Sequence, residues 1–167
     1  TLSDPFSQIF SDTPTGSLLR WSPEAGWSTV ADSAMFGPNG VAVTTDGSAA
    51  FVAEWGRDRV HRLPLGAPRP GTTRAVADVD LMPDNLRWSR AGDLLVTGQD
   101  FTVDQVKACQ ADDLDNCPTG LDVHTVDPRT MEVSTIWSGD PADFRAPTVA
   151  TQVGNELWIG VVKGSRI

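Results

Sequence analysis

Cysteine is scarce in this 167-residue chain: Cys109 and Cys117 are the only two, too few for a disulfide scaffold. Basic residues are outnumbered, 13 against 22 acidic, which leaves a formal charge of −9 at pH 7. That balance argues against nucleic acid or an anionic membrane surface as partner and is compatible with cation binding. No apolar run approaches the roughly 18 residues of a membrane span. The first residue is Thr1 and nothing like a signal peptide follows, so the chain is expected to be processed, truncated or part of something longer. Helical periodicity is missing, as is any capped amphipathic stretch of ordinary helix length. There is no Gly-x-Ser-x-Gly elbow, His-Glu-x-x-His helix, P-loop or Gly-x-Gly-x-x-Gly turn. Glycine and proline, 15 and 12 residues, exceed the usual combined share of about 12% and are spread along the chain. With 40% hydrophobic residues, this composition describes a globular, turn-rich domain.

What is present is a repeat. Pro38-Asn39-Gly40-Val41, Pro83-Asp84-Asn85-Leu86 and Pro147-Thr148-Val149-Ala150 each open a short apolar run. Each run is followed by a turn containing Gly and a second run: Ala50–Ala53, Asp93–Thr97 and Glu156–Gly160. Strand, tight turn, strand is a hairpin pattern, and Asp46-Gly47 is a favourable turn pair. Two further registers keep the period. Strand-like runs at Trp27–Asp32, Thr73–Asp78 and Val133–Trp137 precede the three prolines, and Gly16–Trp21, Arg59–Leu63 and Leu121–Val126 precede those. Pro38 and Pro83 stand 45 residues apart; Pro83 and Pro147 stand 64 apart, with the Cys109–Cys117 segment as a loop insert. Four strands per ~40–50 residues indicate a β-propeller. The fold expected is all-β: about half of a propeller of four-stranded antiparallel blades. Residues 1–35 form outer strands of one blade, 36–80 and 81–140 two blades, and 141–167 the inner hairpin of the last. Innermost strands should begin near Val41, Leu86 and Val149.

Blades are related by rotation, so equivalent positions at innermost strand starts converge on one axis. Asn39, Asp84 and Thr148 are equivalent, each directly after its Pro. Asn and Asp offer the hard oxygens that Ca²⁺ takes; the same residue types also make turns before strands. His61 and His124 fall in outer-strand runs and read as surface or interblade residues. Trp21, Trp88, Trp137 and Trp158 read as blade packing, while Trp55, after Glu54 at a strand end, is the tryptophan most suited to a ligand. Arg59 and Arg166 read as ties between blades. Cys109 to Cys117 is an acidic loop that one disulfide could close, and it lacks the EF-hand order.

The Pro-Asn-Gly-Val-Ala run, with Asp46-Gly47 and Phe51-Val52-Ala53-Glu54 after it, resembles the family around senescence marker protein 30, gluconolactonase and strictosidine synthase. Pro83-Asp84-Asn85-Leu86 resembles the next-blade motif of that family and of the calcium-dependent arylesterase and lactonase paraoxonases. The similarity takes in nearly all of the chain except the Cys109–Cys117 insert. It implies a six-bladed ring with a divalent metal, usually Ca²⁺, at one mouth of the central channel. On that resemblance Asn39, Asp84 and Asn85 are metal ligands, Thr148 lies at the channel rim, and Asp84 is a candidate base or nucleophile. The implied activity is metal-dependent hydrolysis of a small lactone or ester. A non-hydrolytic reaction of the strictosidine synthase kind and a non-enzymatic binding module are the alternatives. A Glu and a further Asn ligand belong to blades that are absent here. The missing N-terminal blades or another chain would complete the ring, and the chain alone is expected to be inactive.

Overall fold

The computed structural model describes residues 9–67, 73–100, 102, 104–105, 120–140 and 145–163. Twelve strands make up almost all of the regular structure among them, joined by one short 3₁₀ turn at Trp55–Arg57. Strands β1 (Leu19–Ser22) and β2 (Gly26–Thr29) form a leading hairpin. Strands β3 (Pro38–Val43), β4 (Ala49–Glu54), β5 (Arg59–Pro64) and β6 (Ala75–Asp78) form the first complete sheet. Strands β7 (Met82–Trp88), β8 (Leu94–Asp100), β9 (Gly120–Val126) and β10 (Val133–Gly139) form the second. Strands β11 (Arg145–Val153) and β12 (Glu156–Lys163) form a trailing hairpin. Every pairing is antiparallel and sequential, and β7 lies against both β3 and β11. The fold is a partial β-propeller whose sheets do not close into a ring.

Side-chain alternation explains why the sheets stack. On β4 every residue is buried, because both faces are covered. Phe51 and Ala53 meet Leu86, Leu94 and Val96 of the second sheet, with Val60, Val79 and Leu81, in the largest core cluster. Val52, pointing the other way, meets Met35, Leu63 and Leu18 beside the leading hairpin. Strand β8 repeats the arrangement: Leu94 and Val96 face the first sheet, while Leu95 packs with Leu121, Val123 and Ala150 toward the trailing hairpin. The apolar cores thus lie between sheets.

Polar ties cross the same seams. Buried Arg62 donates through Nη1 to the carbonyls of Pro128 (2.9 Å) and Arg129 (2.7 Å), in the β9–β10 turn of the second sheet. The Trp88 indole donates to Val43 O at 3.0 Å. Arg59, expected as a blade tie, instead bonds Asp78 on the adjacent strand of its own sheet at 2.9 Å, and Arg166 lies outside the described residues. Arg62 links the two full sheets, because its strand position turns the guanidinium inward onto turn carbonyls of the second.

The tryptophan expectation needs a similar correction. Trp88 packs edge-on against Phe51 with ring centres 5.6 Å apart, but Trp21 and Trp158 are mostly exposed, as is Trp27. Trp21 and Trp27 are cross-strand partners on the leading hairpin, a sheet of two strands among the described residues. Of the surface and interblade positions expected for the histidines, the structure excludes the surface: His61 and His124 are both buried, on the third strand of each full sheet.

The innermost strands start three or four residues earlier than Val41, Leu86 and Val149, because the prolines are part of them. Proline cannot donate to a ladder, so it is confined to edge strands and strand starts. Strands β3, β7 and β11 are each the first strand of their sheets, with one edge unpaired.

Candidate functional site

Each innermost strand breaks register at the residue after its proline. In β3 the ladder passes from Pro38↔Glu54 to Val41↔Val52, leaving Asn39 and Gly40 unpaired. In β7 it passes from Pro83↔Gly98 to Asn85↔Thr97, leaving out Asp84. In β11 it passes from Pro147↔Val161 to Val149↔Gly160, leaving out Thr148. A bulge frees a residue from the ladder and re-aims its side chain, and bulges gather at sheet edges beside sites. Gly40 permits the close approach of two such strands: a Cβ there would sit 2.6 Å from both Asn85 Cα and Asp84 O.

The bulged residues meet. Asn85 Nδ2 donates to Asp84 Oδ1 at 2.9 Å and to Thr148 O at 3.1 Å, so its amide joins β7 to β11. Asn39 hydrogen-bonds the Asp84 carboxylate from the first sheet. Thr148 takes part through its carbonyl; its hydroxyl reaches back to Gly160 O at 3.4 Å. Asn39 is exposed, while Asp84, Asn85 and Thr148 are half-buried.

A residue without a motif completes the cluster. Gln99, 5% exposed at the end of β8, donates through Nε2 to Asp84 Oδ2 (3.2 Å) and to Pro147 O (2.5 Å). Its Oε1 accepts from the Trp55 indole at 2.9 Å. Trp55 also lies against Phe10, ring centres 5.6 Å apart. The available signal was positional. Pro38 pairs Glu54 and Pro83 pairs Gly98, so Gln99 stands in the second sheet where Trp55 stands in the first.

Burial raises the Asp84 pKa above its usual 3.8, and the hydrogen bonds from Gln99 and Asn39 act against that rise. Among the described residues Asp84 forms no ion pair with a Lys or Arg. Two carboxylate oxygens carry about four lone-pair sites, so three amide donors leave room for another ligand. Hard oxygens of one carboxylate, one exposed amide and one carbonyl suit Ca²⁺ in kind, and fall short of the 6–8 that it takes. Among the described residues no three His, Cys, Asp or Glu side chains come together as a metal cage. Cys109 and Cys117, with the disulfide considered for them, lie outside the described residues.

Away from this cluster, Glu54 is buried at the end of β4. Its Oε1 accepts from Phe36 N at 2.8 Å and its Oε2 lies 2.6 Å from His61 Nε2. That pair is enclosed and makes no described bond to Asp84.

Comparison with known proteins agrees with this architecture. No family model matches the sequence. Several Arabidopsis thaliana proteins are similar over about half the chain. Protein STRICTOSIDINE SYNTHASE-LIKE 8 is 29% identical over 93 residues, 56% of this chain and 25% of its own. Protein STRICTOSIDINE SYNTHASE-LIKE 3 is 30% identical over 88 residues, 53% of this chain and 23% of its own. The match therefore spans about a quarter of the length of these relatives. A solved structure of a luciferin-regenerating enzyme superposes on 82% of this chain and 40% of its own, with a TM-score of 0.54 and 15% identity, a likeness of fold.

Proposed function

We propose that this chain carries part of the active site of a divalent-cation-dependent hydrolase acting on small lactones or related esters, with Ca²⁺ as the favoured ion. The observation that carries the reading is a half-buried carboxylate on one bulge, Asp84, held by the amides of Asn39, Asn85 and Gln99, with the carbonyl of the equivalent bulge residue Thr148 on Asn85 and no ion pair to Asp84 among the described residues. Asn39 and Asp84 would hold the ion and Asn85 would support them, with Thr148 at the rim. Bound there, the ion supplies electrophilic polarisation of a carbonyl oxygen and a lowered pKa for a coordinated water. Asp84 adds a second capability of its own. A carboxylate with a raised pKa and a free lone pair can take a proton from water or attack an acyl carbon. Asn85 holds Oδ1 and Gln99 holds Oδ2, so the carboxylate keeps a fixed direction.

The described donors do not saturate Ca²⁺, so further oxygens would come from N-terminal blades of a longer chain or from another chain. Residues 1–167 alone are therefore expected to be inactive. The likeness to strictosidine synthase-like proteins favours one second reading, a non-hydrolytic reaction at the same cluster.

The test is a panel of lactones and aryl esters incubated with the full-length protein, with calcium and with a chelator. Turnover should need the ion and return when it is restored. Asp84→Asn should weaken calcium binding at least roughly tenfold and reduce turnover with it. Turnover indifferent to chelation and to Asp84→Asn would contradict the proposal.

A further inference from the structure

We infer that Gln99 is a positioning residue for Asp84, clamped by the Trp55 indole so that its amide nitrogen always faces the carboxylate. The inference rests on the reading of Asp84 as a cation ligand and adds to it the device that orients this ligand. Three contacts carry it. An indole N–H can only donate, so the Gln99 atom 2.9 Å from Trp55 Nε1 must be the carbonyl oxygen. The other end faces two acceptors, Asp84 Oδ2 and Pro147 O, and so must be the NH₂ group. Donor and acceptor needs agree at both ends, and burial excludes water as a substitute partner.

The arrangement spans three sheets. Trp55 follows β4, Gln99 and Asp84 belong to the second sheet, and Pro147 belongs to the trailing hairpin. A flipped amide would put its oxygen against both the Asp84 carboxylate and the Pro147 carbonyl, which repel it. Without the indole, nothing described here fixes the oxygen end. Trp55 therefore acts on Asp84 at one remove, through a side chain that touches both. Outer partners of metal ligands typically contribute about 10–100-fold in affinity.

The test uses calcium alone as the probe, titrated calorimetrically into the full-length protein and its variants. Gln99→Met keeps the length and removes both hydrogen-bonding ends; it should weaken calcium binding about tenfold or more. Trp55→Phe keeps an aromatic ring beside Phe10 while removing the indole donor and one ring of the side chain. It should weaken binding less than Gln99→Met does, and add nothing when combined with Gln99→Met, because both act through one amide. In the Asp84→Asn background Gln99→Met should have no further effect. Thermal midpoints read alongside separate loss of fold from loss of the clamp, and Trp55→Phe remains decisive if Gln99→Met does not fold.

If Asp84→Asn weakens binding while Gln99→Met and Trp55→Phe leave it unchanged, the positioning role is overturned and the ligand reading stands. Independent, additive effects of Trp55→Phe and Gln99→Met would also overturn it. If Asp84→Asn itself leaves calcium binding unchanged, the ligand reading falls first.

Discussion

The two complete sheets share one backbone plan and use their polar residues in opposite ways. In the first, Pro38 faces Glu54 across the ladder; in the second, Pro83 faces Gly98. The first inner strand carries neutral Asn39 after its proline, the second carries Asp84. Their third strands carry histidines at matching places, His61 opposite Val52 and His124 opposite Val96, where Val52 and Val96 in turn pair with Val41 and Leu86. Glu54 gives His61 a buried carboxylate partner, while His124 has neutral partners, the Thr135 hydroxyl 3.0 Å from Nδ1 and the Val79 backbone. Thus the first sheet encloses its acid in an internal pair that closes the β3–β4–β5 corner. The second places its acid on a bulge where sheets converge. Moving one carboxylate from the second strand to the first turns a stabilising pair into a candidate ligand.

Breaking the enclosed pair should have the largest effect. Glu54→Ala strands both Phe36 N and His61 Nε2 in a buried site, and should cost about 3–5 kcal/mol in urea unfolding. Cation affinity per folded molecule should hardly change, because Glu54 makes no described bond to the Asp84 cluster. Placing a side chain at the matching position of the second sheet is the next largest. A Cβ on Gly98 would press on Met82 O and lie 2.9 Å from Pro83 Cα. Gly98→Ala should therefore cost about 1–3 kcal/mol and, unlike Glu54→Ala, displace the Asp84 bulge and weaken cation binding too.

The smallest effect concerns His124. Burial lowers its pKa below the usual 6.5, against the opposing pull of Asp122 and Asp80. A depressed folded value means that the unfolded chain takes up the proton first. This contribution is present above pH 6.5 and is lost as pH falls from there through the lowered folded value. His124→Asn should remove that part of the slope, seen by comparing unfolding curves at about pH 7.5 and pH 5. A wild-type slope unchanged in the variant would show that burial does not govern this group.

Strand order and the placement of Asn39, Asp84 and Asn85 were legible in the sequence because proline marks each inner strand, and the period carries one proline onto the next. Positions left out of a ladder look like turn residues, and here that same chemistry marks bulges. Gln99 was not legible: Val96-Thr97-Gly98-Gln99 reads as a strand end, and its value lies in Trp55 and Pro147, remote in sequence. Arg59-Val60-His61-Arg62 looks like a surface run, yet three of its residues are buried. Arg62 tolerates burial because turn carbonyls of the second sheet receive its guanidinium, and His61 because Glu54 does the same for its ring. Partner identity decides such cases, and partners from another sheet leave no local trace. The exposed tryptophans erred in the other direction, since a strand pattern does not state how many strands its sheet will have.

If Asp84 and Asn39, delivered by matching bulges on neighbouring sheets, hold one cation as proposed, that ion can be located directly. The most direct measurement is anomalous diffraction from crystals of the full-length protein soaked in a terbium salt as a calcium substitute. One strong peak is expected within bonding reach of both Asp84 and the Asn39 side-chain oxygen, absent from Asp84→Asn crystals. A peak elsewhere, or one at this place that survives the substitution unchanged, would contradict the proposal.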